Sequence, residues 1–140
     1  MTSAPVKTET NSFKINCGTC FLREDGIVQF NLTDDYVIEI KDQKEINDRI
    51  GKLNGGKKTR NMFVCEKYTN VSYEVIKYSN DPENFKFTFA DAFVVKSMHQ
   101  KLLANFYITI MKPPVPTKYF MKEEDAVEWL KQLSLQKQKA

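Results

Sequence analysis

Apolar and polar positions change period several times along this chain, and each change marks an element. From Lys14 to Arg23 the pattern reads as a strand, and Asp25-Gly26 supplies the tight turn of a hairpin. Ile27, Val28, Phe30 and Leu32 form the returning strand. Asp34 and Asp35 mark the next turn, ahead of a short apolar stretch, Tyr36, Val37, Ile38 and Ile40. The period then becomes helical. Asp42, with Glu45 three residues on, forms a capping box. Ile46, Ile50 and Leu53 recur about a turn apart, and Asn54-Gly55-Gly56 stops the helix. Met62 to Cys65 is a short apolar strand.

Residues 69–80 fit two periods, since Val71, Val75 and Tyr78 suit a helix while Val71, Tyr73 and Val75 alternate. A short helix capped near Ser72 is preferred, because it turns Glu74 and Lys77 outward. Asp81-Pro82 breaks it, and Phe85 to Val95 is an aromatic-rich strand. Ser97 caps the strongest helix, whose apolar set is Met98, Leu102, Leu103, Phe106, Tyr107 and Ile110. Pro113 and Pro114 end it. Val115 to Phe120 is the last strand, and Glu123, Glu124 and Asp125 open a final helix in register with its dipole. Ala126, Val127, Leu130 and Leu133 give that helix its buried face, with Trp129 at the edge. The order ββαβαβαβα predicts an α/β fold, a largely parallel sheet begun by a hairpin and flanked by helices.

Composition narrows the class. At 140 residues the chain has the length of one domain. It is divided as a disordered leader (1–12), a single domain (13–135) and a flexible tail (136–140). A hydrophobic share of 41% and a charged share of 28% exclude a disordered or collagen-like chain. No apolar run approaches the ~18 residues of a bilayer span, and Met1 to Ser12 lacks the apolar core of a signal peptide. A cytoplasmic location is expected. The net charge of +3 is spread evenly along the chain, which argues against nucleic-acid binding.

Candidate chemistry is sparse. Cys17 and Cys20 have the spacing of a redox dithiol, but no helix follows to stabilise a thiolate. A zinc site would need Cys65 and His99 as well, and these lie far from the pair in sequence. The thiols are read as small core side chains. Gly51, Gly56 and Lys57 open a phosphate-loop pattern, but Lys58 stands where it needs Ser or Thr. His99, the single histidine, reads as a surface imidazole. The P-x-x-P spacing of Pro113 to Pro116 reads as a rigid connector. No catalytic constellation, metal site or cofactor is expected. The dense aromatic set includes Phe89, Phe93, Phe106 and Tyr107, which are the candidate lining of an apolar, lipid-like ligand pocket. That pocket would need at least about 300 Å³.

Three segments carry a family resemblance. They are Lys101-Leu102-Leu103-Ala104-Asn105-Phe106-Tyr107, the run from Lys112 to Phe120, and Glu123-Glu124-Asp125-Ala126-Val127-Glu128-Trp129-Leu130. Together they resemble an uncharacterised, Bacteroidetes-type bacterial family of small STAS-like (SpoIIAA-like) domains, over about residues 14–134. Ala104 departs from the family's usual Gly, Met121 from its usual Ser or Thr cap, and residues 66–89 match poorly. The resemblance implies a mixed sheet flanked by helices, related to anti-sigma-factor antagonists and more distantly to Sec14-type lipid carriers. It also implies a non-catalytic regulatory module that acts through a protein partner, with a homodimer as a further option. In the antagonists a helix N-terminal Ser is a phosphorylation switch. The corresponding position is Ser72, with Thr69 nearby, although the Asp-Ser-Ser-Gly signature is absent here.

Overall fold

Gly18 sets the first departure from the expected elements. The backbone turns at Asn16-Cys17, so the strand read from Lys14 to Arg23 is a hairpin, β1 (Phe13–Ile15) and β2 (Gly18–Leu22). A Cβ at Gly18 would run into the carbonyl of Asn31 on the neighbouring strand, and glycine at this position lets the strands close. This computed structural model describes residues 12–139, with side chains through Leu133. Apart from Ser12, the leader read over residues 1–12 lies outside the described residues.

Asp25-Gly26 then turns β2 into β3 (Ile27–Leu32), as its sequence requires. After Asp34 and Asp35 comes β4 (Tyr36–Ile38). Helix α1 (Ile40–Leu53) begins earlier than the Asp42–Glu45 pair suggests. Its cap is Glu39, whose N–H donates to Asp42 Oδ2 at 2.9 Å, so Asp42 is the reciprocal residue of the box and not its start. Gly55 and Gly56 both adopt positive φ and end the helix. Strand β5 (Thr59–Val64) and the three-residue β6 (Thr69–Val71) follow, then the short α2 (Tyr73–Tyr78) with Ser72 as its cap. A 3-10 turn (Pro82–Phe85) leads to β7 (Thr88–Val94). Next come α3 (Met98–Phe106), a π-helical turn (Tyr107–Met111), β8 (Thr117–Phe120) and α4 (Glu123–Lys139). Pro113 to Pro116 is the connector into β8, and α4 continues into the stretch read as a tail.

The fold is a mixed α/β sheet flanked by helices. The strand order is β1-β2-β3-β5-β7-β8, antiparallel through β3 and parallel beyond it. A second, two-stranded parallel sheet pairs β4 with β6. The expected order holds, with β1, β4 and β6 as short additions too brief to show a period.

Strand alternation divides the core in two. One face packs Cys17, Cys20, Val28, Phe30 and Phe63 against Ile46 and Ile50 of α1. Phe30, Phe63 and Phe93 occupy matching registers of adjacent strands and stack at 5.0 and 5.4 Å. On the other face Ile27, Met62 and Val64 lie beside Ala90 and Ala92, whose small side chains admit Ala126 and Leu130 of α4. Among the described residues no helix is long and apolar enough to cross a membrane.

Candidate functional site

Between the aromatic face of the sheet and helices α1, α2 and α3 lies a cavity of about 150 Å³. Ile46 and Ile50, Phe63 and Phe93, Val75, Phe85, Leu103 and Tyr107 supply apolar walls. The π-helical turn brings Tyr107 inward, where its ring meets Phe93 edge-on at 6.2 Å. Beside these rings is a carboxyl. Asp91, in the middle of β7, lines the cavity and is only 7% exposed.

A buried polar chain positions that carboxyl. Thr59 Oγ1 donates to Asn61 Oδ1 at 2.6 Å, and Asn61 Nδ2 donates to Thr88 Oγ1 at 3.1 Å and Asp91 Oδ1 at 3.0 Å. Burial pushes the Asp91 carboxyl up to about 7, and the Asn61 hydrogen bond opposes only part of that rise. Tyr107 is also raised, first by burial and then by the charge on Asp91. Cys65, at the end of β5, lines the cavity with its thiol pushed up to about 11 by burial.

Amide side chains close two sides of the cavity. Ser79 Oγ donates to Gln43 Oε1 at 3.3 Å, Gln43 Nε2 to Asn47 Oδ1 at 3.1 Å and Asn47 Nδ2 to Asn84 Oδ1 at 2.8 Å. This chain ties α1 to the C-terminus of α2 and to the 3-10 turn. Opposite it, Gln100 Nε2 donates to the carbonyls of Glu66 and Thr69 at 2.7 and 2.9 Å, pinning the first turn of α3 to the β5–β6 loop.

The expected pocket residues divide. Phe93 and Tyr107 line the cavity. Phe89 does not: Thr59 pairs with Thr88 and Arg60 with Ala90, so Phe89 is the extra residue of a bulge and packs on the α4 face. Phe106 lies on the outer side of α3, 36% exposed. The cavity has half the volume expected for a lipid-like ligand. A cavity of ~150 Å³ holds a molecule the size of benzene.

The other candidates are dispersed. Thr69 is buried, its hydroxyl donating to Thr33 O at 2.9 Å and accepting from Glu66 N at 2.9 Å. Ser72 Oγ accepts from Val75 N at 3.3 Å as an N-cap. Cys17 and Cys20 are buried free thiols, pushed by burial up to about 12 and 11. His99 is exposed, with Nε2 3.2 Å from Asn70 Oδ1. Among the described residues no group of three potential ligands could hold a metal ion. Asp91 escaped sequence reading, although a lone carboxylate inside an apolar strand is itself a signal.

Helix α3 differs most from expectation. With the π-helical turn that follows, it buries Gln100, Leu103, Ala104 and Tyr107 wholly or partly, leaving Met98, Leu102 and Ile110 65%, 63% and 64% exposed. With Phe106 these form an i, i+4 ridge on the outer surface of the cavity wall.

A solved structure shares this architecture. An uncharacterised Shewanella loihica PV-4 protein of the DUF3478 family, with a SpoIIAA-like fold, superposes with a TM-score of 0.52 at 12% identity, covering 86% of this chain and 90% of that one. A protein of unknown function from Arthrobacter sp. FB24 aligns at 23% identity over 84% of this chain and 95% of the other, with a TM-score of 0.29. No curated protein matches. The fold is SpoIIAA-like. The model of a domain of unknown function, DUF7793, matches residues 21–134, and the chain belongs to that family.

Proposed function

We propose that this protein is a non-catalytic regulatory module that docks a protein partner on the outer ridge of α3. The exposed row Met98, Leu102, Phe106 and Ile110 carries this reading. Large apolar side chains aligned on one helix face in solvent are characteristic of interaction surfaces. Charge defines the partner. Residues 92–122 contain Lys96, Lys101, Lys112, Lys118 and Lys122 and no aspartate or glutamate, although Lys96 is paired with Glu66. A partner presenting an apolar stripe rimmed by carboxylates complements this segment.

Crosslinking in native lysate, comparing wild type with the Leu102→Glu/Ile110→Glu double variant, tests the proposal. Both positions are exposed, so the variant keeps wild-type stability to within about 0.5 kcal/mol per site. It is expected to lose the acidic partner that wild type captures. Equal capture by both forms removes the ridge as the docking face. Sedimentation showing wild-type dimers that the variant lacks replaces the acidic partner with a second copy. The cavity favours a second reading, a binder of a small ligand, because its walls are apolar and its one carboxyl is specifically held.

A further inference from the structure

We infer that the cavity beneath α3 binds a small primary amine with a compact apolar body, its ammonium group docking on Asp91 between Phe93 and Tyr107. This rests on the small-ligand reading above and names the ligand's chemistry. Among the described residues, the cavity lining contains no lysine, arginine or histidine, and Asp91 is its one carboxyl. Among the described residues, Asn61 is the one side chain that donates to Asp91, and the carboxyl takes part in no ion pair. A carboxylate can accept about four hydrogen bonds. Buried charge is retained at low cost only when it is paired. The described residues thus hold a carboxyl in place, turn it into an apolar chamber and supply no cation for it.

The other polar atoms at the site agree. Gln43 Nε2 donates to Asn47, Asn47 Nδ2 to Asn84 and Asn84 Nδ2 to the Tyr78 carbonyl, and Gln100 Nε2 is committed to backbone carbonyls. Thr88 Oγ1 accepts from Asn61. The titratable groups facing the cavity besides Asp91 are Tyr107, from the π-helical turn, and Cys65, from the end of β5, and burial raises both. Neither is anionic at neutral pH, so neither competes for the ammonium. The volume sets the size: at about 150 Å³ the chamber takes one ring or a short branched chain.

Benzylamine, benzyl alcohol and toluene titrated into the full chain, with amide resonances as the readout, distinguish the parts of this inference. Benzylamine is expected to shift cavity resonances and bind about 10- to 100-fold more tightly than either neutral probe. Asp91→Asn, which keeps an oxygen for Asn61 to bond, is expected to abolish that preference and leave toluene binding unchanged. Ala104→Phe, which fills the chamber from α3, is expected to eliminate all three. If toluene binds and benzylamine shows no advantage, the amine assignment is wrong and the small-ligand reading stands. If neither shifts a cavity resonance, both are wrong. Binding that survives Ala104→Phe places the site elsewhere. Should Asp91→Asn fail to fold, wild type decides the matter. Benzylamine affinity must rise about tenfold or more from pH 5 to pH 8 as Asp91 ionises, and a flat profile rejects the docking group.

Discussion

Asp91 has a consequence for stability that can be worked out with its sign. Its carboxyl is held near 7 in the folded protein against an ordinary value of 3.8. Below about pH 4 both folded and unfolded chains carry the proton, and the group contributes nothing. As pH rises from 4 towards 7 the unfolded chain loses its proton while the folded chain keeps it, so stability falls. Above about pH 7 both states are ionised and the penalty is constant. A difference of about three units corresponds to about 4 kcal/mol. Asp91→Asn is therefore expected to match wild type near pH 4 and exceed it by about 2–4 kcal/mol at pH 8 in urea denaturation. Parallel pH curves for the two proteins would show that the carboxyl is not desolvated. A residue kept at such a penalty in the floor of a chamber is more simply explained by what it binds than by what it stabilises.

Two leucines with the same side chain and opposite surroundings separate the helices. Leu130 of α4 is fully buried against β5 and β7, whereas Leu102 of α3 is 63% exposed. Leu130→Ala is expected to lose about 2–5 kcal/mol in chemical denaturation, and Leu102→Ala no more than about 0.5 kcal/mol. Sequence distinguished these cases unequally. In α4 the apolar positions Ala126, Val127 and Leu130 stand out against charged neighbours, and the expected face is the buried one. In α3 apolar residues occupy both sides, so periodicity alone could not tell the core-facing Leu103 and Tyr107 from the ridge. The buried Gln100 points away from any hydrophobic rule, because its burial depends on carbonyls of a distant loop. Local chemistry was legible wherever one residue type dictates the backbone, as at Asp25-Gly26, Ser97 and Asn54-Gly55-Gly56. The Phe89 bulge and the Gly18 hairpin were not, since each is set by the strand alongside.

At the scale of the molecule, the sheet has one face sealed by α4 and another where α1, α2 and α3 enclose a chamber. The three thiols report on that asymmetry. Cys17 and Cys20 lie in the core between the first hairpin and α1, whereas Cys65 lines the chamber and is half-buried. All three are pushed well above an ordinary thiol by burial, so alkylation of the native protein proceeds through openings that restore a normal thiolate. An opening limited to α3 uncovers Cys65 but leaves the hairpin core intact, and such local openings are more populated than global unfolding. Iodoacetamide labelling followed by mass spectrometry is thus expected to modify Cys65 at least about a hundredfold faster than Cys17 or Cys20. Equal rates would mean that the chamber and the hairpin core open together. A ligand that fills the chamber must then slow Cys65 and leave the other two at the global rate. That pattern would tie the chamber to the movement of α3, whose outer face bears the ridge.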